Sequence, residues 1–313
     1  MKITYDHFMT AVKTKTELST IIQGLWLSRS VIGVKVKDHI QPIFGFSGAF
    51  DRSKSGKTST YELLEHLVFL PYAHNQESLA KSVMWISDGD SRLYSQGRVE
   101  DFLIGSKGQK GQYYGNGCAI GCTIQHAISH AKRELLERHF CCEFWYQNAG
   151  PIAQEEFTMD LIDTSIKLNF YTANVPLTDG EFAIATLEDP KTHFFALGAA
   201  IRSNKDEAYI HAASEVIMIF EDAKKNRGGA YPAGYSQQRI LSLREIRVSK
   251  NRKTYFDYLI RQKVIKNFYT VPHCQTIVFE ALPNIFAART FSKNALDPRY
   301  HERNTSVPIL PLF

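Results

Sequence analysis

The chain has 313 residues, of which 44% are apolar, and a net charge of +5 at neutral pH. This length fits one large domain or two of medium size, and the apolar fraction excludes a disordered chain. The N-terminus lacks the apolar run of a signal peptide, and no stretch approaches the roughly 18 apolar residues of a membrane span. The five cysteines have no paired spacing, so they indicate neither a disulfide framework nor a zinc finger. We therefore expect a reduced, cytoplasmic protein that does not bind membranes.

Two basic clusters, Lys224–Gly229 and Arg247–Lys253, raise the question of a nucleic-acid partner. No aromatic signature of an RNA-binding module accompanies them, and charge runs of this kind are usually solvated loops. The sequence therefore favours a protein without a nucleic-acid partner.

Strand patterns alternate with long helical patterns along the chain. In the N-terminal part we predict a helix near Ile3–Ile22, a strand at Ser30–Asp38, a polar loop at Ser47–Thr60 and a helix at about Tyr61–Phe69. Further on, the pattern predicts a short helix at Gln76–Ser82, a strand pair within Val83–Gly105 and a long helix ending near Phe140. The last part of the chain is predicted to contain a hairpin within Phe182–Ile201, helices at Lys205–Lys225 and Arg252–Val264, and a strand at Thr276–Leu282. This order is typical of an α+β fold with helices packed on mixed or antiparallel sheets.

The first long helix carries charged side chains beside its apolar face. At 100° per residue, His130, Glu134 and Glu137 share one flank, and Arg138 falls inside the apolar arc. Half-buried glutamates need a cationic partner, and a buried arginine needs an anionic one. One interpretation is an intrahelical pair between Glu134 and Arg138 at i, i+4.

A second helix repeats this pattern 81 residues later. Both helices read A-x-x-H-x-x-x-E, which places His211 and Glu215 on the same flank as His130 and Glu134. This internal pseudo-repeat predicts that Glu134, Glu137 and Glu215 share one site, and three carboxylates suit Mg²⁺ with phosphates completing its shell. The alternative is a mixed His–Glu zinc or di-iron site, although the usual di-iron spacing is Glu-x-x-His.

Three stretches of the sequence resemble the YcaO family, whose members use ATP to activate a peptide backbone amide. They are "GNGCAIGCTIQHAISHAKRELLERH" from Gly115, "ALGAAIRSNKDEAYIHAASEVI" from Ala196, and the terminal "SVPILPLF". The resemblance implies a single YcaO-like domain over residues 1–313. Residues 102–220 would form its ATP and magnesium core and residues 304–313 a Pro-containing tail, whereas residues 1–70 match the family poorly.

The resemblance also implies roles for individual residues. Glu134, Glu137 and Glu215 would bind Mg²⁺ that bridges the ATP phosphates. Four further residues would lie around the nucleotide: Asn116, His130, Arg138 and His211. The terminal carboxylate of Phe313 would be the candidate general base.

The implied reaction is ATP- and Mg²⁺-dependent cyclodehydration of Cys, Ser or Thr to azolines during maturation of a ribosomal peptide. Thioamide or amidine formation is an alternative within the family. A non-catalytic scaffold is a further alternative, because Met218 and Phe220 replace the Gln and Arg that the second motif usually has. Expected partners are a precursor peptide, a separate ThiF-like or leader-peptide-binding protein and a flavin dehydrogenase, and the resemblance leaves room for a homodimer.

Overall fold

A computed structural model describes most of the chain. The described residues are 9–36, 39–70, 77, 81, 83–87, 90–94, 98–103, 117–147, 149, 152–177, 180–225, 246–261, 269–296 and 310. In chain order the elements are β1 (Lys13–Leu18), β2 (Trp26–Val36), β3 (His39–Ala49), α1 (Arg52–Val68), β4 (Met84–Ser87), β5 (Asp90–Tyr94), a 3₁₀ turn (Val99–Phe102), β6 (Cys118–Gly121), α2 (Ile124–Gln147), β7 (Ile152–Glu155), β8 (Lys167–Ala173), β9 (Glu181–Asp189), β10 (Phe194–Arg202), α3 (Lys205–Lys225), α4 (Ile246–Arg261), β11 (Gln275–Leu282) and β12 (Ile285–Phe291).

The strands form three antiparallel sheets. Their orders are β1-β2-β3, β5-β4-β11-β12-β6 and β10-β9-β8-β7. Helix α1 packs on the first sheet, α2 packs on β6 and β12 of the second, and α3 packs on β9 and β10 of the third. The α+β fold with helices on antiparallel sheets is therefore confirmed.

The pseudo-repeat extends further than the sequence predicted. Three times, an edge strand is followed by a helix that crosses back over that strand: β3 and α1, β6 and α2, β10 and α3. The crossings are close because glycine lies beneath the helix. A Cβ atom on Gly45 of β3 would lie 2.1 Å from the Ser59 carbonyl oxygen, and one on Gly198 of β10 would lie 2.3 Å from the Ala212 carbonyl oxygen. These glycines set how near each helix comes to its strand.

Most predicted elements in the middle of the chain are confirmed. The hairpin β9–β10, helix α3 and the strand pair β4–β5 lie where the pattern placed them. Helix α4 covers much of the predicted helix near Arg252. The helix predicted at Gln76–Ser82 falls almost entirely outside the described residues.

Two N-terminal predictions are wrong over part of their length. The expected helix near Ile3–Ile22 is wrong from Lys13 onward, where Lys13–Leu18 alternates Lys and Glu with Thr and pairs along β2 as strand β1. Residues 9–11 are helical, and residues 3–8 lie outside the described residues. The expected loop Ser47–Thr60 holds the end of β3 and the first half of α1. That helix starts with Asp51 as N-cap, whose Oδ1 accepts the Lys54 N–H at 2.6 Å.

Candidate active site

Backbone groups at the edge of β10 point towards glutamates from two helices. The Ala199 N–H donates to Glu215 Oε2 of α3 at 2.8 Å, and the Ile201 N–H donates to Glu137 Oε2 of α2 at 3.0 Å. Because the two N–H groups belong to alternate residues of one strand, the two carboxylates are neighbours. The structure thus brings together residues that lie 78 positions apart in the sequence.

The edges of β3 and β6 face the same region. The Phe46 N–H donates to Glu62 Oε2 of α1 at 3.0 Å. At β6, Glu65 of α1 and His130 of α2 lie close to the Ile120 backbone. Three sheet edges therefore meet here, with side chains of α1, α2 and α3 along them.

Arg138 lies among these carboxylates. Its Nη2 donates to Glu215 Oε1 at 2.9 Å, and both side chains are mostly buried. The sequence left an intrahelical partner, Glu134, as one interpretation, whereas this hydrogen bond goes to the other helix. Among the residues that the structure describes, two further nitrogens of Arg138, Nε and Nη1, are buried and have no hydrogen-bond partner. A buried guanidinium with unused donors is costly, so this group is poised to bind an anionic ligand.

Burial and mutual repulsion make the carboxyls hard to ionise. Burial raises the pKa of Glu134 to about 8 despite the opposing charge of Arg138, and the charges of neighbouring glutamates add to the shift. The pKa of Glu62 is likewise raised to about 8, chiefly by burial. Burial also raises the pKa of Glu65 and Glu137. A bound cation would remove the cause of these shifts, since it would compensate the clustered negative charges.

Cationic groups lie beside these carboxyls, and Arg202 Nη1 is 3.5 Å from Glu137 Oε2. Burial lowers the pKa of His130 to about 4, with the charges of Arg202 and Arg133 contributing. Burial lowers the pKa of His211 to about 3, again helped by Arg202 and also by Lys54. The two histidines are therefore neutral at physiological pH in the absence of ligand. The positive charges of Arg202, Arg133 and Lys54 around them suit a polyanion such as a chain of phosphates.

The donor set fits a divalent cation shared with a polyanion. Carboxylate oxygens are the hard ligands that Mg²⁺ prefers, and Mg²⁺ commonly takes one or two of them together with substrate phosphates. Across the described ranges, no three His, Cys, Asp or Glu side chains lie together in the arrangement of a preformed metal site. An ion held jointly by these carboxylates and by phosphates is compatible with that spacing.

Sequence reasoning missed Glu62 and Glu65, together with the cations Lys54, Arg133 and Arg202. A signal for the two glutamates was present, because α1 contains Y-E-L-L-E-H at Tyr61–His66 and α2 contains R-E-L-L-E-R at Arg133–Arg138. Comparing these two segments would have predicted that α1 presents a second pair of carboxylates. Nothing comparable marks the three cations in the sequence.

Two site residues of the sequence analysis, Asn116 and Phe313, lie outside the described residues. Of the C-terminal tail, only Leu310 is described. It is 1% exposed, and its N–H donates to the Tyr146 hydroxyl near the end of α2 at 3.1 Å. Leu310 belongs to a hydrophobic core cluster that also contains Leu136 and Phe140 of α2.

Comparisons with known proteins agree with this geometry. The family model described as YcaO cyclodehydratase, ATP- and Mg²⁺-binding, matches residues 105–268. The fold is similar to YcaO from Methanopyrus kandleri bound with AMPPCP and Mg²⁺, with a TM-score of 0.62, 12% identity, and coverage of 97% of this chain and 90% of that chain. It is also similar to the Escherichia coli microcin synthetase McbBCD complex with pro-MccB17 bound, with a TM-score of 0.64 and 12% identity. That match covers 93% of this chain and 91% of that chain. No curated protein matches the sequence.

A third solved structure, a heterocyclase in complex with substrate and cofactor, has a TM-score of 0.63 and 11% identity, and the match covers 94% of this chain and 51% of that one. The predicted family and the predicted cofactors, ATP and Mg²⁺, are both confirmed by these matches. Within the described part of the chain, no helix has the length and apolar character needed to cross a bilayer.

Proposed function

Because the chain belongs to the YcaO family, we propose that it uses ATP and Mg²⁺ to activate a backbone amide of a peptide, and that it converts Cys, Ser or Thr residues to azolines. The observation that carries this proposal is the cluster of buried carboxyl and cationic groups around Arg138. Arg138 pairs with Glu215, Arg202 Nη1 lies 3.5 Å from Glu137 Oε2, and among the described residues Arg138 Nε and Nη1 have no hydrogen-bond partner. Such a mixed cluster suits a metal-bound nucleotide and a reaction in which negative charge moves.

The glutamates would hold the metal. Glu134 and Glu62 are the strongest candidates, because burial raises the pKa of each to about 8 and a bound cation would favour their ionised, metal-binding form. Glu137 and Glu215 are anchored through Oε2 by β10 backbone N–H groups, and Glu215 Oε1 also accepts a hydrogen bond from Arg138, so both carboxyl groups are held in fixed orientations. A carboxylate fixed in this way is preorganised for a ligand.

The cationic groups would hold the phosphates. Arg138 offers Nε and Nη1, while Arg202, Arg133 and Lys54 supply charge around the two histidines. ATP supplies the phosphoryl group that turns the amide oxygen into a leaving group, and Mg²⁺ compensates the charge on the phosphates. The protein's part is to orient these groups and to stabilise developing charge, so no nucleophilic side chain is required.

The alternative of a non-catalytic scaffold loses part of its support. Phe220 is 3% exposed and packs edge-to-face on Phe194 at a centroid distance of 5.1 Å, inside the core of the third sheet. A residue at this position faces apolar neighbours, so its departure from the family pattern does not remove a phosphate ligand. Met218 remains the feature that favours the scaffold. Thioamide and amidine formation remain alternatives for the product.

The decisive experiment combines purified protein, ATP and Mg²⁺ with short Cys-, Ser- and Thr-rich peptides encoded beside its gene. The expected result is phosphate release that depends on the peptide and loss of one water from the peptide per ring, read by mass spectrometry. Exchange of oxygen for sulfur would assign thioamide formation instead. A protein that binds MgATP without peptide-dependent hydrolysis, even with the neighbouring partner proteins added, would establish the scaffold.

A further inference from the structure

The sheet β1-β2-β3 has an unusual distribution of side chains. Its face towards α1 combines hydroxyl groups with apolar residues: Ser30 Oγ lies 2.8 Å from the Ser59 Oγ of α1, and Ile32 and Ile43 pack in the same core cluster as Leu63. The opposite face carries aromatic, apolar and basic side chains. We name this opposite face the open face; its members are Lys13, Lys15, Glu17, Leu27, Arg29, Val31, Lys35, Ile40, Pro42, Phe44 and Phe46.

The open face is ordered in cross-strand rows. Lys13, Val31 and Phe44 form one row, and Lys15, Arg29 and Phe46 form the next. Of the helices that the structure describes, α1 packs on the other face, and α3 approaches β3 near Gly48, where an added Cβ would lie 2.7 Å from the Ser214 Cβ. The rows beyond Gly48 include side chains that are half-buried or exposed, and Ile40 is 76% exposed.

An aromatic and guanidinium stack forms the centre of the open face. The rings of Phe44 and Phe46 are nearly parallel, at 16°, with centroids 6.1 Å apart. The Arg29 guanidinium carbon lies 4.9 Å from the Phe44 centroid and 5.0 Å from the Phe46 centroid. Stacking restrains an otherwise flexible side chain, so its position is fixed before any ligand arrives. A surface of rigid aromatic and arginine side chains is the composition that recognises peptides.

The charge of this surface selects an acidic ligand. The open face carries Arg29 and three lysines, Lys13, Lys15 and Lys35. It also carries Glu17, in the row next to Lys15, and the Glu17 carboxylate pairs with the Lys15 ammonium at 2.6 Å. Lys13 and Lys35 are both exposed. Complementary charge guides association and suppresses partners of the wrong sign.

The open face leads into the candidate active site. Phe46 belongs to its central row, and the N–H of the same residue donates to Glu62. Two residues further along β3, Gly48 contacts Ser214, the neighbour of Glu215. From Ile40 to Phe46 the strand spans about 20 Å, which is the length of an extended segment of about six residues.

We propose that the open face binds an extended segment of the substrate peptide, adjacent to the residue that is modified, and that this segment carries acidic and apolar side chains. The proposal rests on the proposed function for the existence of a peptide substrate. Acidic side chains pair with the lysine rows, apolar ones pack on Phe44 and Ile40, and the chain then enters the site past Phe46.

The test uses the full chain and a labelled synthetic peptide of repeating Glu-Glu-Leu-Leu, in which each side of the extended chain presents both residue types, with fluorescence anisotropy as the measurement. A Lys13→Glu/Lys35→Glu variant should weaken binding by about tenfold or more, because it reverses two exposed charges. Ile40→Ser should also weaken peptide binding. Because the Ile40 side chain is largely exposed, this change should leave folding intact. The matched control, Lys167→Glu/Lys191→Glu, makes the same charge change at two exposed lysines of the third sheet and should bind as the wild type does.

Four results would overturn the proposal. Two concern the peptide: the Lys13→Glu/Lys35→Glu variant binds it as tightly as the wild type does, or the wild type binds a peptide with Lys in place of Glu equally tightly. The other two concern a different occupant: this face binds single-stranded RNA tightly, or the Lys13→Glu/Lys35→Glu variant loses a dimer that the wild type forms. Binding of MgATP is measured on every variant. If MgATP does not bind the wild type while the acidic peptide still depends on Lys13 and Lys35, the proposed function fails and the docking surface stands.

Discussion

Arg138 of α2 and Glu215 of α3 form a hydrogen-bonded ion pair, Nη2 to Oε1, at 2.9 Å across 77 residues of chain. The pair joins the two helices that carry the pseudo-repeat. It also holds Arg138 so that Nε and Nη1 remain for a ligand. Ion pairing and ligand binding therefore depend on the same guanidinium group.

A double-mutant cycle of Arg138→Met and Glu215→Gln should show strong coupling. We expect a coupling free energy on the order of 1–3 kcal/mol in chemical unfolding, because each single change leaves a buried group uncompensated. The control cycle uses Lys205 and Glu155, which pair at 2.8 Å on the surface with 45% and 25% exposure, and should show little coupling. Equal coupling in both cycles would mean that burial adds nothing to the Arg138 pair.

Glu62→Gln and Glu65→Gln should each weaken binding of MgATP by about tenfold, equivalent to about 1.4 kcal/mol. Both residues belong to α1, which the family match over residues 105–268 does not include. Isothermal titration calorimetry of MgATP measures the effect, with Glu207→Gln, an exposed position in the first turn of α3, as control. Affinity equal to that of the wild type in both variants would remove α1 from the metal site.

Binding of Mg²⁺ should release protons near neutral pH. Without a cation the pKa values of Glu62 and Glu134 are about 8 rather than the usual 4.5, so both carboxyls are largely protonated at pH 7. Mg²⁺ must displace these protons, and its affinity should therefore rise with pH until about pH 8. Calorimetry at pH 7 in buffers of different ionisation enthalpy measures the release, which Glu134→Gln should reduce.

The same shifts predict how stability depends on pH without metal. A carboxyl whose pKa is raised on folding stabilises the folded state fully below the unfolded value of 4.5, and this contribution is lost as pH rises towards 8. His130 and His211 act in the opposite direction below about pH 6.5, because their pKa values are lowered from 6.5 to about 4 and 3 and the unfolded state then binds more protons. The melting temperature should therefore fall between about pH 6.5 and 8, where the histidines do not contribute, and Mg²⁺ should reduce the fall. A melting temperature that is independent of both pH and Mg²⁺ would contradict this account.

Gly198→Ala should impair both folding and nucleotide binding. Its new methyl group would lie 2.3 Å from the Ala212 carbonyl oxygen, so α3 must move away from β10 and carry Glu215 with it. Gly56→Ala is the matched control, because its Cβ has no neighbour closer than Thr16 Oγ1 at 3.5 Å. In a helix this change should stabilise by about 0.5–1 kcal/mol. Thermal unfolding and MgATP titration of the two variants test the difference.

Removal of Leu312 and Phe313 should lower peptide modification by about tenfold while MgATP binding is retained. The proposed reason is that the Phe313 carboxylate accepts a proton, whereas the helix-borne glutamates stay in place. Leu310→Ala separates this role from packing, because Leu310 is buried beside Tyr146 and its truncation should cost about 2–5 kcal/mol of stability. A truncated chain with full activity would leave the tail a structural role alone.

The sequence predicted α2 and α3 well because their apolar and polar faces follow the helical period without interruption. It predicted the second half of α1 at Tyr61–Phe69 but missed the first half, because Ser53–Thr60 consists of Ser, Thr, Gly and Lys, in which hydroxyl groups compete with helix formation. The structure shows where the hydroxyls go: Ser55 Oγ lies 2.8 Å from Ser28 Oγ, and Thr60 pairs with Ser30. These partners come from another strand, so no local pattern could reveal them.

The candidate site was predictable only in part for a related reason. Matching helices indicated that Glu134 and Glu215 face one centre, since the repeat preserves their spacing. Arg202 and Lys54 reach that centre through the crossing of helices over strands, which depends on tertiary packing at glycines such as Gly198. Long-range geometry of this kind leaves no periodic trace in the sequence.

The glutamates that cap β3 and β10 should also protect the protein from self-association. An uncapped strand edge offers free N–H and C=O groups to the strands of other molecules, and such edges seed aggregation. Here the Phe46, Ala199 and Ile201 N–H groups each donate to a carboxylate. Truncating a glutamate to alanine would therefore uncover an edge as well as remove a ligand. Glutamine keeps an acceptor oxygen at the edge, so Glu→Gln variants should stay soluble where Glu→Ala variants aggregate.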